Sequence, residues 1–190
     1  MRILRAANRA AVAWKNGGGV TREVCAVPED GGFEFDWRLS IAEVRAGGPF
    51  SRFPGVDRKL AVVEGRMRLA IDNQKPVELG PTAPALAFTG DAQTLAEAVE
   101  PVVDVNLMTR RSRYRGALGR LNLDRGVVVG EPDAETIVLA MDPVAASDRD
   151  LAPLDAVWLE AGAMAAITPR RAAARILVAH IWPVPPPETD

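Results

Sequence analysis

Apolar and polar residues alternate with a period of two along most of the chain, interrupted at short intervals by glycine and proline. That period puts successive side chains on opposite faces of an extended backbone, so it predicts strands. Residues 20–27 read as a strand with Thr21, Glu23 and Cys25 on one side and Val20, Arg22, Val24 and Ala26 on the other. Residues 28–32 read as a turn, and residues 33–44 form the clearest strand. There Trp37, Leu39 and Ile41 point one way while Arg38, Ser40 and Ala42 point the other. Residues 58–64 and 66–71 flank Gly65 in the manner of a hairpin. Residues 85–88 and 102–108 are further strands, the latter with Asp104 and Asn106 on one face. Later come short apolar strands at 127–129, 136–141, 156–160, 163–167 and 175–182. No segment sustains a helical period, and the alanine-rich stretch 92–100 is too short and ends at Pro101.

Many short strands at turn-punctuated intervals predict a sandwich, jelly roll or closed barrel. The halves echo each other loosely, 35–44 and 58–71 against 136–141 and 156–167. A chain of 190 residues holds one sizeable domain or two small ones. Its net charge of −2 lacks the basic footprint of a nucleic-acid binder, so none is expected as a partner. The single cysteine, Cys25, excludes an internal disulfide framework and fits a reducing cytoplasm, as it would equally fit a disulfide-free exported protein. Neither a signal peptide nor a membrane-spanning run is expected, and the proline-rich stretch 183–190 reads as an extended tail.

The densest polar stretch is Trp14-Lys15-Asn16-Gly17-Gly18-Gly19-Val20-Thr21-Arg22-Glu23. Three successive glycines make it either a plain loop or a backbone concavity whose N–H groups, with Lys15 and Arg22, hold an anion. Its spacing is not that of a nucleotide-binding loop. Metal chemistry is poorly supported, because His180 is the only histidine, and no metal or cofactor is expected. Cys25, Ser40 and Ser51 lack a nearby base in sequence. Glu23, Glu43 and Glu64 remain open as acids or bases. Arg38 and Ser40 share a strand face that either meets solvent or lines a cavity, where the guanidinium fork would suit a carboxylate.

Several motifs, in order, resemble the HutD/Ves family. They are the glycine-rich stretch above, Phe35-Asp36-Trp37-Arg38-Leu39-Ser40-Ile41-Ala42-Glu43-Val44, and Gly48-Pro49-Phe50-Ser51-Arg52-Phe53-Pro54-Gly55-Val56-Asp57-Arg58. Val63-Glu64-Gly65, Phe88-Thr89-Gly90-Asp91 and Asp104-Val105-Asn106-Leu107-Met108-Thr109-Arg110 complete the likeness, which covers roughly residues 10–111. The resemblance implies an all-β chain with two cupin-type jelly-roll barrels, each a double-stranded β-helix. The corresponding division is 1–111, a degenerate second barrel at 112–182 and the tail at 183–190. It also implies a pocket in the first barrel and a link to histidine utilisation, with modulation of the pathway rather than established catalysis.

Carried over by motif, the expected ligand-binding residues are Lys15, Asn16, Thr21, Arg22, Glu23, Arg38, Ser40, Phe50, Ser51, Phe53, Arg58, Asn106 and Met108. Arg38, with Arg58 or Lys15, would supply positive charge. Ser40, Asn16 and Asn106 would supply hydrogen bonds, and Phe50 and Phe53 an apolar wall. The expectation is a metal-free bicupin that senses a small carboxylate such as formate, N-formylglutamate or urocanate. The alternative is an enzyme using Glu23 or Glu43 as acid or base. No membrane partner is expected, and exposed β edges make a homodimer a further expectation.

Overall fold

Period-two runs bounded by glycine and proline give nineteen strands and one 3-10 turn among the described residues, 1–29 and 34–185 of a computed structural model. The first eleven are β1 (Arg2–Leu4), β2 (Ala11–Ala13), β3 (Gly19–Val27), β4 (Trp37–Val44), β5 (Gly48–Pro49), β6 (Val56–Glu64), β7 (Met67–Ile71), β8 (Val77–Leu79), β9 (Leu86–Thr89), β10 (Thr94–Ala98) and β11 (Val102–Arg110). The remaining eight are β12 (Tyr114–Leu123), β13 (Val127–Val129), β14 (Glu135–Ala140), β15 (Val144–Ala146), β16 (Arg149–Leu151), β17 (Ala156–Leu159), β18 (Ala165–Pro169) and β19 (Ala174–Pro183).

The chain divides into two compact units, Ala10–Arg115 and Met1–Arg9 together with the residues from Gly116 onward. In the first, a six-stranded sheet ordered β2-β3-β4-β11-β6-β9 faces a four-stranded sheet ordered β5-β10-β7-β8. Their shared core takes Ala42, Val44, Leu60 and Val62 from one sheet and Met67, Leu69, Leu79 and Ala96 from the other. Burying one face of each sheet against the other is what closes a jelly roll. In the second unit the sheets are ordered β1-β17-β14-β19-β12 and β13-β18-β15-β16. Its core is wholly aliphatic, with Val138, Val144, Leu151, Val157, Leu159, Ile167 and Ile176 at its centre.

The two units repeat one topology. The order β4-β11-β6-β9 recurs as β12-β19-β14-β17, and β5-β10-β7-β8 recurs as β13-β18-β15-β16. Each label advances by eight. The echo read from sequence therefore has the wrong partners: β4 corresponds to β12, and the pair β6–β7 to β14–β15. Strand β12 escapes the pattern because Gly116 and Gly119 interrupt its alternation, and glycine weakens a strand reading.

Four other expectations change. Gly65 is not a hairpin tip: β6 and β7 belong to different sheets, and Gly65, at φ +74°, carries the chain across. Residues 94–98 of the alanine-rich stretch are strand β10, whose Ala96 packs in the core. The first nine residues join the second unit rather than the first, because β1 pairs with β17 and the Arg5 guanidinium meets Asp155 at 2.7 Å. A bulge between Glu23 and Cys25 reverses the facing of β3, so Cys25 lies opposite Leu39 while Glu23 lies opposite Ser40. The expected strand start at Phe33, part of the turn at 28–32 and the end of the tail at 186–190 lie outside the described residues.

Candidate functional site

Antiparallel pairing of β3, β4, β11, β6 and β9 lines up side chains in rows on the inner face of the six-stranded sheet. One row runs Ala26, Arg38, Met108, Arg58, Phe88. The next runs Glu23, Ser40, Asn106, Leu60, Leu86. A third runs Thr21, Ala42, Asp104, Val62. The barrel interior thus grades from cations, through a hydroxyl and an amide, to a carboxylate and then to the apolar floor of Val44, Met67 and Leu69.

Both cations are held in aromatic surroundings. The Arg58 guanidinium carbon lies 4.8 Å from the ring centre of Phe50, 5.1 Å from Phe88 and 5.9 Å from Phe53. Arg38 lies 5.5 Å from the Phe35 ring, which itself packs on Phe53. Such contacts orient a planar guanidinium and offset part of its desolvation. Arg58 is only 5% exposed, and one of its Nη atoms donates a long hydrogen bond of 3.4 Å to the Ser51 carbonyl oxygen. Arg38 Nε stands 3.9 Å from a Glu23 carboxylate oxygen, beyond hydrogen-bond distance. The Nε atoms of Arg38 and Arg58 and the Oδ1 of Asn106 are buried without a hydrogen-bond partner.

Electrostatics follow from this burial. Desolvation lowers the Arg58 pKa to about 10, with Asp104 opposing the shift and the like charge of Arg38 adding to it. Desolvation also lowers the Arg38 pKa, against the attraction of Glu23. Asp104 is pushed up to about 7 because burial disfavours its charge more than Arg58 favours it. The inner face thus carries two buried guanidiniums that repel each other and keep unmade hydrogen bonds.

The loop carrying Phe50 and Phe53 is fixed by backbone and carboxylate bonds. Phe50 N donates to the Thr94 oxygen at 2.9 Å and Phe53 N to the Gly90 oxygen at 2.8 Å. Asp91 accepts from Gly55 N at 3.1 Å, from the Thr89 hydroxyl at 2.6 Å and from Arg111 at 3.0 Å. These bonds, the Thr89 hydroxyl first, lower the Asp91 pKa to about 2. The Thr89-Gly90-Asp91 motif is therefore a clasp for the aromatic loop. A Cβ at Gly90 would meet the Phe53 carbonyl oxygen at 2.6 Å.

Of the sequence-derived residues, the structure brings together Glu23, Arg38, Ser40, Phe50, Phe53, Arg58, Asn106 and Met108. Five others are placed differently. Lys15 and Asn16 are exposed at the β2–β3 turn, beyond Gly19, which pairs with Val44. Val44 lies six residues along β4 from Arg38, roughly 20 Å at strand rise. The glycine turn is no anion concavity, because Gly17 N donates to the Trp14 oxygen and Gly18 N to Asn16 Oδ1. Arg22 faces the other side of the sheet, opposite Ile41, and pairs with Glu43, which removes Glu43 from the interior as well. Thr21 faces inward, but its hydroxyl accepts from Trp14 Nε1 at 2.7 Å. Ser51 is exposed and reaches Arg58 through its carbonyl, not its hydroxyl.

Three site residues were missed: Phe35, Phe88 and Asp104. Parity held the signal for Asp104, which shares its strand face with Asn106 and Met108. Phe88 and Phe35 needed the tertiary pairing. In the second unit, the register places Thr136 opposite His180, where the first unit has Arg58 opposite Met108. Thr136 Oγ1 and His180 Nδ1 are 3.0 Å apart, and the imidazole packs on Trp182. Among the described residues, no group of three or more His, Cys, Asp or Glu side chains is placed to hold a metal ion.

The sequence model of HutD matches residues 6–177. The chain belongs to the HutD family. A 21.2 kDa protein from the hutC 3′ region of Pseudomonas putida is 38% identical over 120 residues, which are 62% of this chain and 63% of that one. Protein Ves of Citrobacter koseri is 40% identical over 106 residues, 54% of each chain. This chain thus spans less than two thirds of the length of either relative. The structure of HutD from Pseudomonas fluorescens SBW25, in a formate condition, superposes with a TM-score of 0.82 at 28% identity, covering 97% of this chain and 99% of that one. Oxalate decarboxylase from Bacillus subtilis, at 9% identity and a TM-score of 0.66 over 96% of this chain and 77% of its own, shares the fold. This HutD member is therefore an all-β chain of cupin-like jelly rolls, and none of its described helices is long and apolar enough to cross a membrane.

Proposed function

We propose that this HutD member binds a small carboxylate inside the barrel of its first unit and acts as a sensor in histidine utilisation. The observation that carries the reading is the pair of buried guanidiniums, Arg38 and Arg58, whose Nε atoms lack partners beside the equally unpartnered Asn106 Oδ1. A carboxylate would accept from both guanidiniums, and Ser40 stands beside Asn106 to add a further bond. Phe35, Phe50, Phe53 and Phe88 supply the apolar wall typical of small-molecule sites. The formate condition of the Pseudomonas fluorescens relative makes formate the first acid to test. The hutC neighbourhood of the Pseudomonas putida relative adds urocanate and N-formylglutamate.

The test is a thermal-shift titration with these acids on the wild type and on Arg38→Ala. A ligand at a hundred times its dissociation constant stabilises the folded state by about 2.7 kcal/mol. A shift with one acid that disappears in Arg38→Ala supports binding at this site. No shift with any of them at millimolar concentration sinks it. An enzymatic reading rests on Glu23, the acid on the inner face beside Arg38. Turnover of one of the same acids that is lost in Glu23→Gln would replace the sensor by a catalyst.

A further inference from the structure

The site contains two guanidiniums and two carboxyl groups. Arg38 projects from β4, Arg58 from β6, Glu23 from β3 and Asp104 from β11, all on the inner face of one sheet. The β9 strand contributes Leu86 and Phe88, and the opposing sheet contributes Met67, Leu69, Leu79, Thr94 and Ala96. None of those side chains titrates. With both carboxyl groups ionised, the four formal charges cancel, and an arriving anion would leave the buried cluster with excess negative charge. Burying uncompensated charge is far costlier than moving a proton.

We propose that Asp104 sets the charge specificity of the site, so that one monoanionic carboxylate binds together with one proton taken up on Asp104. The inference rests on the carboxylate-binding reading above and adds to it the ligand's charge and the group that accommodates it. Asp104 suits the role by position. It is 2% exposed, lies one row deeper than Asn106, and feels Arg58 as its main opposite charge. The charge of Arg58 thus acts on Asp104 through space and would meet an external carboxylate directly. When the anion takes the guanidinium, Asp104 keeps a proton and the cluster carries one net positive charge to meet one negative charge. Glu23 is less suited, because its side chain is 33% exposed and solvent screens it. Burial already holds the Asp104 proton up to about 7, so the coupling falls in the neutral range.

The test is isothermal titration calorimetry of the full chain with formate and urocanate, monoanions at pH 8, and with N-formylglutamate, a dianion there, as the contrast in charge. Runs at pH 6 and pH 8 use two buffers of different ionisation enthalpy. The expected result at pH 8 is a buffer-dependent heat corresponding to about one proton taken up per anion, and little uptake at pH 6. Affinity should fall by about tenfold per pH unit above the Asp104 pKa. Asp104→Asn should bind with no proton uptake and with an affinity that is the same at both pH values. The buffer comparison on the wild type needs no variant, so a misfolded Asp104→Asn leaves a decision in hand. An acid that binds the wild type with no proton uptake at pH 8 overturns the role of Asp104 and leaves the binding function standing. Uptake that survives Asp104→Asn also overturns it. Absence of binding by every acid at both pH values overturns both.

Discussion

At the scale of single residues, the first unit spends folding energy on polar groups that its core does not need. Arg58, buried among three aromatic rings with one weak hydrogen bond, is the clearest case. Its planarity matters as much as its charge, because it stacks and presents a fork. Arg58→Lys is expected to lose carboxylate binding by tenfold to a hundredfold, matching the roughly 1.5–3 kcal/mol of a charge-assisted hydrogen bond. Calorimetry or a thermal-shift titration reads that loss. Asp104 gives a prediction for stability. Its folded-state pKa of about 7 lies above the usual 3.8, so between those values the folded chain binds more protons than the unfolded one. Stability therefore falls as pH rises from about 4 to about 7, and Asp104→Asn should flatten that slope. Urea unfolding at pH 5 and pH 8 checks it.

At the scale of elements, the aromatic loop between β5 and β6 is held by a clasp that never touches the interior. Asp91 binds Gly55 N, the Thr89 hydroxyl and Arg111, and Arg111 also binds Asp57 at 2.8 Å. Asp91→Ala is expected to raise amide exchange at residues 50–56 and weaken carboxylate binding severalfold, without altering any residue of the pocket. Unchanged exchange in that loop would refute the clasp. The crossing from β6 to β7 is a second such device. Gly65 has φ +74°, and a Cβ there would collide with the Pro101 carbonyl oxygen. Gly65→Ala should destabilise by about 2 kcal/mol or more, measured by chemical denaturation, since it adds left-handed strain to the clash. These elements also show where the sequence was legible. Strands β3, β4, β6 and β11 were visible because alternation is local. The β3 bulge, the sheet change at Gly65 and the glycine-broken β12 were not, because each depends on what pairs alongside.

At the scale of the whole molecule, one eight-strand topology serves two purposes. The first unit fills its barrel with a graded polar interior, and the second fills the same plan with Val, Leu, Ile and Ala. His180 and Thr136 occupy the register positions of Met108 and Arg58, but no arginine joins them there. His180→Leu is thus expected to leave any carboxylate-induced thermal shift unchanged, and loss of that shift would relocate the site. The sequence by itself determined the all-β class, most strand positions and the shared parity of Arg38 with Ser40 and of Asp104 with Asn106. These follow from side chains that alternate at every step, a rule that needs no distant partner. Only the tertiary structure decided which polar residues share a space. It sent Arg22 to Glu43 on the outer face, left Lys15 at the far turn, gave the first nine residues to the second unit and set Phe35, Phe88 and Asp104 around the two arginines. Those outcomes rest on bulges, registers and strand pairings between residues far apart in the chain, and local alternation carries no record of them.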